Sequence, residues 1–177
     1  MDGSMDQLVT YELRDEIALI GLNRPAKRNA VSDRVVEALN LAIERAQLEA
    51  KAAVIHGEGT HFCAGLDLAE HSEKPLIAAV QGSRRWHRIF DGIERGGIPF
   101  VVALQGAVVG GGFELAAAAH VRVADETAFF GLPEGTRGIF VGGGGSGRPV
   151  VGGAAVVDAG AEPAVGTPSF VHAATAS

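Results

Sequence analysis

The most informative segment of the chain reads Gly110-Gly111-Gly112-Phe113-Glu114. A glycine triplet predicts a tight turn, because glycine adopts backbone conformations that are closed to other residues. The alanine-rich run from Phe113 to Ala119 then favours a helix. Amides at a helix start have no intrahelical partner, and the macrodipole favours negative charge there. The segment therefore predicts a site for an oxyanion, with Glu114 in the first helical turn.

Two other segments could supply chemistry. The run Phe62-Cys63-Ala64-Gly65-Leu66-Asp67 contains an Ala-Gly pair that lets a backbone N–H approach a ligand closely. Glu134 lies in a turn-like segment 20 residues after Glu114, so the fold could present one carboxylate towards the other. Each feature also has an ordinary structural interpretation: a simple turn, a solvated glutamate, and Cys63 as a small core residue.

Apolar patterns predict an α/β chain that begins with a β-hairpin of Leu8 to Leu13 and Ile17 to Leu22. Ser32 can cap a helix whose inward positions recur at helical spacing, and Leu76 to Glu94 predicts a second helix that includes Val80 on its apolar face. Further short strands are predicted at Ala52 to His56, Phe100 to Leu104 and Val121 to Ala124.

Composition disfavours several classes of protein. A net charge of -6 without a basic stripe disfavours a nucleic-acid surface. The sequence contains no run of 18 apolar residues, so it predicts no membrane span. Its six histidines do not have the spacing of metal ligands. Cys63 is the only cysteine and no signal-length apolar stretch follows Met1, so we expect a cytoplasmic protein.

The chain changes character at Gly147, after which Ala, Gly, Val and Pro dominate without helical or alternating periodicity. We therefore divide it into a core of residues 1–146 and an atypical tail of residues 147–177. The tail is interpreted as frame-shifted or disordered.

Four motifs, taken in order, strongly resemble the enoyl-CoA hydratase, or crotonase, superfamily. They are Asn23-Arg24-Pro25-Ala26-Lys27-Arg28-Asn29-Ala30, Phe62 to Asp67, Gly110 to Glu114, and Leu132-Pro133-Glu134. The resemblance covers roughly residues 7 to 146. It implies the ClpP/crotonase fold, an α/β spiral of ββα turns, here without the family's C-terminal helical portion.

The resemblance also implies the site and its reaction. By motif position, the backbone amides of Leu66 and Gly111 form the oxyanion hole for the thioester of an acyl-CoA. Lys27, Ala64, Leu66, Leu68 and Gly111 contribute to substrate and CoA binding. Glu114 and Glu134 match the two glutamates that hold water in hydratases of the family. The implied reaction is hydration of a 2-enoyl-CoA to a 3-hydroxyacyl-CoA, with no metal and no cofactor besides the CoA of the substrate.

Other interpretations stay open at this point. One family fold serves isomerases, hydrolases and hydratase-lyases, so the fold alone does not select the reaction. The resemblance implies a homotrimer or hexamer, and a chain without the C-terminal portion could instead be an inactive remnant or a structural partner subunit. The two-glutamate pattern favours hydration.

Overall fold

The computed structural model describes residues 8–69, 76–133 and 154–156. Its main element is a six-stranded sheet in the order β1-β2-β3-β4-β6-β8, in which only β1 and β2 are antiparallel. The strands of this sheet are β1 Val9–Arg14, β2 Ile17–Leu22, β3 Ala52–Gly57, β4 Phe100–Leu104, β6 Val121–Ala124 and β8 Ala154–Val156. The predicted α/β architecture is confirmed.

Three α-helices connect the strands: α1 is Asp33–Glu49, α2 is Leu76–Glu94 and α3 is Gly111–Ala118. A second sheet pairs β5 Ala107–Val109 with β7 Phe129–Gly131 in parallel. Parallel neighbours need such crossover connections, which explains why α1 stands between β2 and β3, α2 between β3 and β4, and α3 between β4 and β6. The order of strands and helices gives the predicted succession of ββα units.

The first helix packs on the sheet through the face that its sequence predicts. Val35, Val36, Leu39, Ile43 and Ala46 are all buried. Each fully buried aliphatic side chain of this size stabilises the fold by about 1.5–3 kcal/mol relative to exposure. Ser32 stands at the N-cap position, but its side chain makes no capping hydrogen bond within the described part of the chain. Burial of the apolar face therefore accounts for this helix better than its cap does.

Among the described side chains of the second helix, the fully buried ones lie in its C-terminal half. Ile89, Phe90 and Ile93 are fully buried, and the Gln47 side chain donates a hydrogen bond of 2.8 Å to the Gly92 carbonyl. Val80, which was predicted to lie on the apolar face, is instead 44% exposed, because the contacts with α1 involve the later turns. Ile77 is also expected on that apolar face, and its side chain lies outside the described residues.

Little of the predicted tail, residues 147–177, is among the described residues. Of the tail, the structure describes only Ala154–Val156, which extends the sheet beside β6. The tail's departure from the family therefore stays a prediction. None of the described helices is long and apolar enough to cross a membrane.

Candidate active site

The segment Phe62 to Asp67 changes its hydrogen-bonding partner halfway along. At first it runs beside β5: the Cys63 N–H donates to the Ala107 carbonyl at 2.8 Å, and the Val109 N–H donates to the Cys63 carbonyl at 2.9 Å. It then turns to the loop that follows β2, where the Ala64 N–H donates to the Arg28 carbonyl at 2.9 Å. The first part of the segment is thus held by β5, and the second part by the loop that follows β2.

The change of partner determines where the Leu66 amide points. Leu66 forms a parallel bridge with Val31, made by Val31 N–H to the Gly65 carbonyl and by Asp67 N–H to the Val31 carbonyl. In a parallel bridge of this kind the central residue's own N–H faces away from the partner strand. Within residues 8–69 and 76–133, the Leu66 N–H donates no hydrogen bond. Among the described residues, nothing occupies this amide.

Gly111 supplies a second amide at the start of α3. Gly110 precedes it with a φ of 56°, and the Gly110 N–H donates to the Gly131 carbonyl at 2.8 Å, which fixes the turn beside β7. The helix's first bond runs from the Glu114 N–H to the Gly110 carbonyl at 3.0 Å. The N–H of Gly111 has no acceptor among the described residues, as expected for the first turn of a helix.

The two segments that carry these amides are in contact. A Cβ placed on Gly65 would lie 2.8 Å from the Val109 carbonyl oxygen and 3.5 Å from the Gly110 Cα, and Gly65 has a φ of 87°. Only glycine combines that φ with so close an approach. The structure therefore brings the strand before Leu66 against the turn before Gly111, in an arrangement compatible with two amides that bind one oxygen.

The carboxyl group of Glu114 is buried in the first turn of α3. The residue is 6% exposed, and it follows the Gly111 amide by three positions on the same helix. Its neighbour Phe113 packs edge-to-face on Phe130 of β7, with ring centroids 6.2 Å apart. Glu134, the second predicted glutamate, lies outside the described residues, three positions after the end of β7. Their juxtaposition stays a prediction.

The remaining predicted binding residues are Lys27, Ala64 and Leu68. Lys27 follows β2 in a short 3-10 helix, Ala64 is half-buried, and Leu68 is 49% exposed. Leu66 itself is half-buried. The Lys27 ammonium contacts Asp67, next to Leu66 and Leu68 in the chain, while the contact of these residues with CoA stays a prediction.

A buried carboxylate in this region was not predicted from the sequence. Asp67 is 7% exposed, and its Oδ2 accepts hydrogen bonds of 2.9 Å from both Lys27 Nζ and Arg24 Nη2. The hydrogen bond from Lys27 and the second from Arg24 outweigh burial and lower the pKa of Asp67 to about 2. Because Asp67 directly follows Leu66, the ion pair ties the loop after β2 to the segment that carries the Leu66 amide.

Replacing Asp67 with Asn is expected to lower the free energy of unfolding by about 2 kcal/mol at neutral pH, since hydrogen bonds to charged groups contribute about 1.5–3 kcal/mol. The lowered pKa means that the carboxylate stabilises the fold above the ordinary value of 3.8, and that this contribution is lost as pH falls towards about 2. Urea denaturation of both proteins should show a difference that shrinks through this window. A difference independent of pH would contradict this account.

The described side chains do not form a metal site. Across residues 8–69 and 76–133, no three His, Cys, Asp or Glu residues are grouped as a metal ion would require. Cys63 is fully buried, and its burial raises the pKa of the thiol to about 12. A thiol with so high a pKa is a poor nucleophile.

Comparison with known proteins gives a consistent result. The family model for enoyl-CoA hydratase/isomerase matches residues 12–152. The 2,3-dehydroadipyl-CoA hydratase of Escherichia coli is 37% identical over 148 residues, which cover 81% of this chain and 56% of that protein. A solved structure of a proposed enoyl-CoA hydratase from Rhodopseudomonas palustris has 47% identity and a TM-score of 0.77, and the match covers 84% of this chain and 57% of that one.

The enoyl-CoA hydratase of Thermoplasma volcanium has 32% identity and a TM-score of 0.73, over 77% of this chain and 55% of that one. The chain thus spans about half the length of the hydratases that it matches. The family match reaches six residues beyond the core boundary predicted at residue 146.

Proposed function

This chain belongs to the enoyl-CoA hydratase/isomerase family, and we propose that it adds water to a 2-enoyl-CoA to give a 3-hydroxyacyl-CoA. The observation that carries the proposal is the pair of available amides: Leu66, whose N–H faces away from Val31, and Gly111, at the start of α3. Contact between Gly65 and the Val109-Gly110 turn supports their action on one thioester oxygen.

In the proposed reaction, hydroxide from water bonds to the β-carbon, and the electrons of the double bond move onto the thioester to form an enolate. The two amides stabilise the enolate oxygen, and one such donor is worth about 2.7–4 kcal/mol in comparable sites. A proton then adds to the α-carbon. The net change is the addition of H and OH across the double bond, which involves no oxidation or reduction, so we propose no cofactor besides the CoA of the substrate.

We propose that Glu114 helps to activate the water and that Glu134 supplies the proton to the α-carbon. The burial of Glu114, close in sequence to the Gly111 amide, supports its part. General acid-base catalysis of this type contributes about 10²- to 10⁴-fold. The presence of a second glutamate at the matching position favours hydration over the isomerase, hydrolase and hydratase-lyase reactions that related proteins could perform.

The CoA part of the substrate is proposed to lie along the loop after β2. Lys27 retains 48% exposure of its side chain while its Nζ contacts Asp67, and this exposed cationic side chain supports a part in binding a phosphate. Ala64, Leu66 and Leu68 would border the thioester. The homotrimer or hexamer implied by the resemblance and the cytoplasmic location stay predictions.

The direct test is the hydration of crotonyl-CoA by the purified 177-residue chain, followed as the loss of the conjugated thioester absorbance. We expect turnover that depends on Glu134, with Glu134→Gln as the inactive comparison. If the folded chain binds crotonyl-CoA but gives no product, the hydratase assignment is wrong. If it does not bind an acyl-CoA at all, the chain is better described as an inactive remnant or a structural subunit.

A further inference from the structure

The three consecutive glycines differ in what the fold requires of them. Gly110 has a positive φ of 56°. A Cβ on Gly112 would lie 2.6 Å from the Cys63 Cβ and 2.7 Å from the Cys63 carbonyl oxygen, so no side chain fits there. Gly111 has neither constraint: it begins the helix, and a Cβ placed on it would meet only Trp86 among the described residues, at 3.6 Å. The described part of the chain therefore gives no reason for a glycine at position 111.

The missing side chain of Gly111 leaves a notch about the size of one methyl group. One side of this notch is the α-carbon whose amide is proposed to bind the thioester oxygen. The other side is the outer edge of the Trp86 six-membered ring, since the two nearest atoms are its Cη2 and Cζ2. A glycine that no described residue requires, at an amide proposed to bind the thioester, supports a role of this space in binding a ligand.

The Trp86 ring is held firmly while part of it stays accessible. Trp86 lies on α2 and is half-buried. Its ring packs at 5.2 Å between centroids and at 35° on Phe90, which is fully buried. An aromatic side chain fixed in this way presents a large, rigid apolar surface. Its edge faces the glycine of the turn that meets no closer contact among the described residues.

We propose that Trp86 determines acyl specificity as the wall of the notch, where it contacts the carbons next to the thioester and discriminates against acyl groups that are branched there. The proposal rests on the proposed function, because it takes the Gly111 amide to bind the thioester. In an unbranched acyl group, the carbon next to the thioester fills the notch. A methyl branch on that carbon needs additional room, which the edge of the Trp86 indole occupies. One added methyl group in such a pocket changes affinity by about 10- to 200-fold.

Trp86 is the only tryptophan of the 177 residues, so its fluorescence reports on this position alone. Butyryl-CoA has no double bond and cannot be hydrated. We expect it, at saturation, to change the Trp86 emission more than CoA does. Calorimetry records the binding of both ligands in parallel. If butyryl-CoA binds by calorimetry but its emission change equals that of CoA, the inference about Trp86 is overturned while the proposed function stands. If calorimetry detects no butyryl-CoA binding, the proposed function fails and this inference with it.

Two variants should move specificity in opposite directions. Trp86→Ala opens the notch, and we expect the affinity for 2-methylbutyryl-CoA relative to butyryl-CoA to rise at least about tenfold. Gly111→Ala fills the notch without strain, so the affinity for butyryl-CoA should fall and the ratio should not rise. Trp86→Phe keeps an aromatic ring and tests whether any change in Trp86→Ala reflects damage to α2. An unchanged ratio in folded Trp86→Ala would overturn the inference.

Discussion

Replacing Glu114 with Gln is expected to lower kcat for crotonyl-CoA hydration at least about 100-fold, with little change in KM. Gln keeps the size of the side chain and its capacity to hydrogen-bond, but it cannot accept a proton from the attacking water. The loss should be large because Glu114 is 6% exposed, so bulk water cannot easily replace it as a base. Initial rates from the thioester absorbance give both constants.

The matched control is Glu126→Gln, in the exposed loop between β6 and β7. It makes the same chemical change away from the Gly111 amide, so the rate should stay near that of the unmodified chain. Circular dichroism of both variants checks that the fold is retained. A Glu114→Gln protein that keeps more than about a tenth of the activity would remove Glu114 from the proton transfer.

Replacing Gly112 with Ala is expected to lower the free energy of unfolding by about 3 kcal/mol, at the upper end of the ordinary cost of overpacking. The new Cβ would lie 2.6 Å from the Cys63 Cβ and 2.7 Å from the Cys63 carbonyl oxygen. Neither atom belongs to a flexible side-chain end, so α3 or the segment around Cys63 must shift. The melting temperature should fall by about 10 °C, measured by thermal denaturation.

Gly111→Ala is the matched comparison, one residue away in the same helix. Its Cβ would meet only Trp86, at 3.6 Å, among the described residues, and alanine favours a helix over glycine. We expect its melting temperature to equal or exceed that of the unmodified chain. Equal destabilisation by the two substitutions would show that the contact with Cys63 is not the cause.

Much of the fold could be predicted from the sequence because its elements are long or strongly apolar. The bounds of α2, β4 and β6 agree with those predicted, since apolar runs and glycines delimit them. Strands β5 and β7 were missed because each has three residues, too few for an alternating pattern, and they pair only with one another among the described strands. The parallel addition of β8 likewise depends on a partner remote in sequence.

The site was less predictable from physical reasoning alone. The sequence indicated that the Gly110 turn opens a helix, and this is confirmed, but the choice of Leu66 and Gly111 came from family resemblance. The direction of the Leu66 N–H depends on Val31, 35 positions earlier, and no local pattern reports that pairing. Asp67 was missed for the same reason, since its ion-pair partners lie 40 and 43 residues away. The direction of the Leu66 N–H and the partners of Asp67 thus depend on pairing between residues that are remote in sequence, which a single motif does not reveal.

The change of partner along Phe62 to Asp67 has a consequence for how such a protein can diversify. The N–H released at Leu66 belongs to the main chain, and every residue type except proline carries one. Substitutions at position 66 can therefore alter the shape and polarity next to the thioester that we propose to bind there, while the hydrogen-bond donor persists. Recognition of the invariant part of a ligand is in this way uncoupled from recognition of its variable part, and selection can act on the second without losing the first.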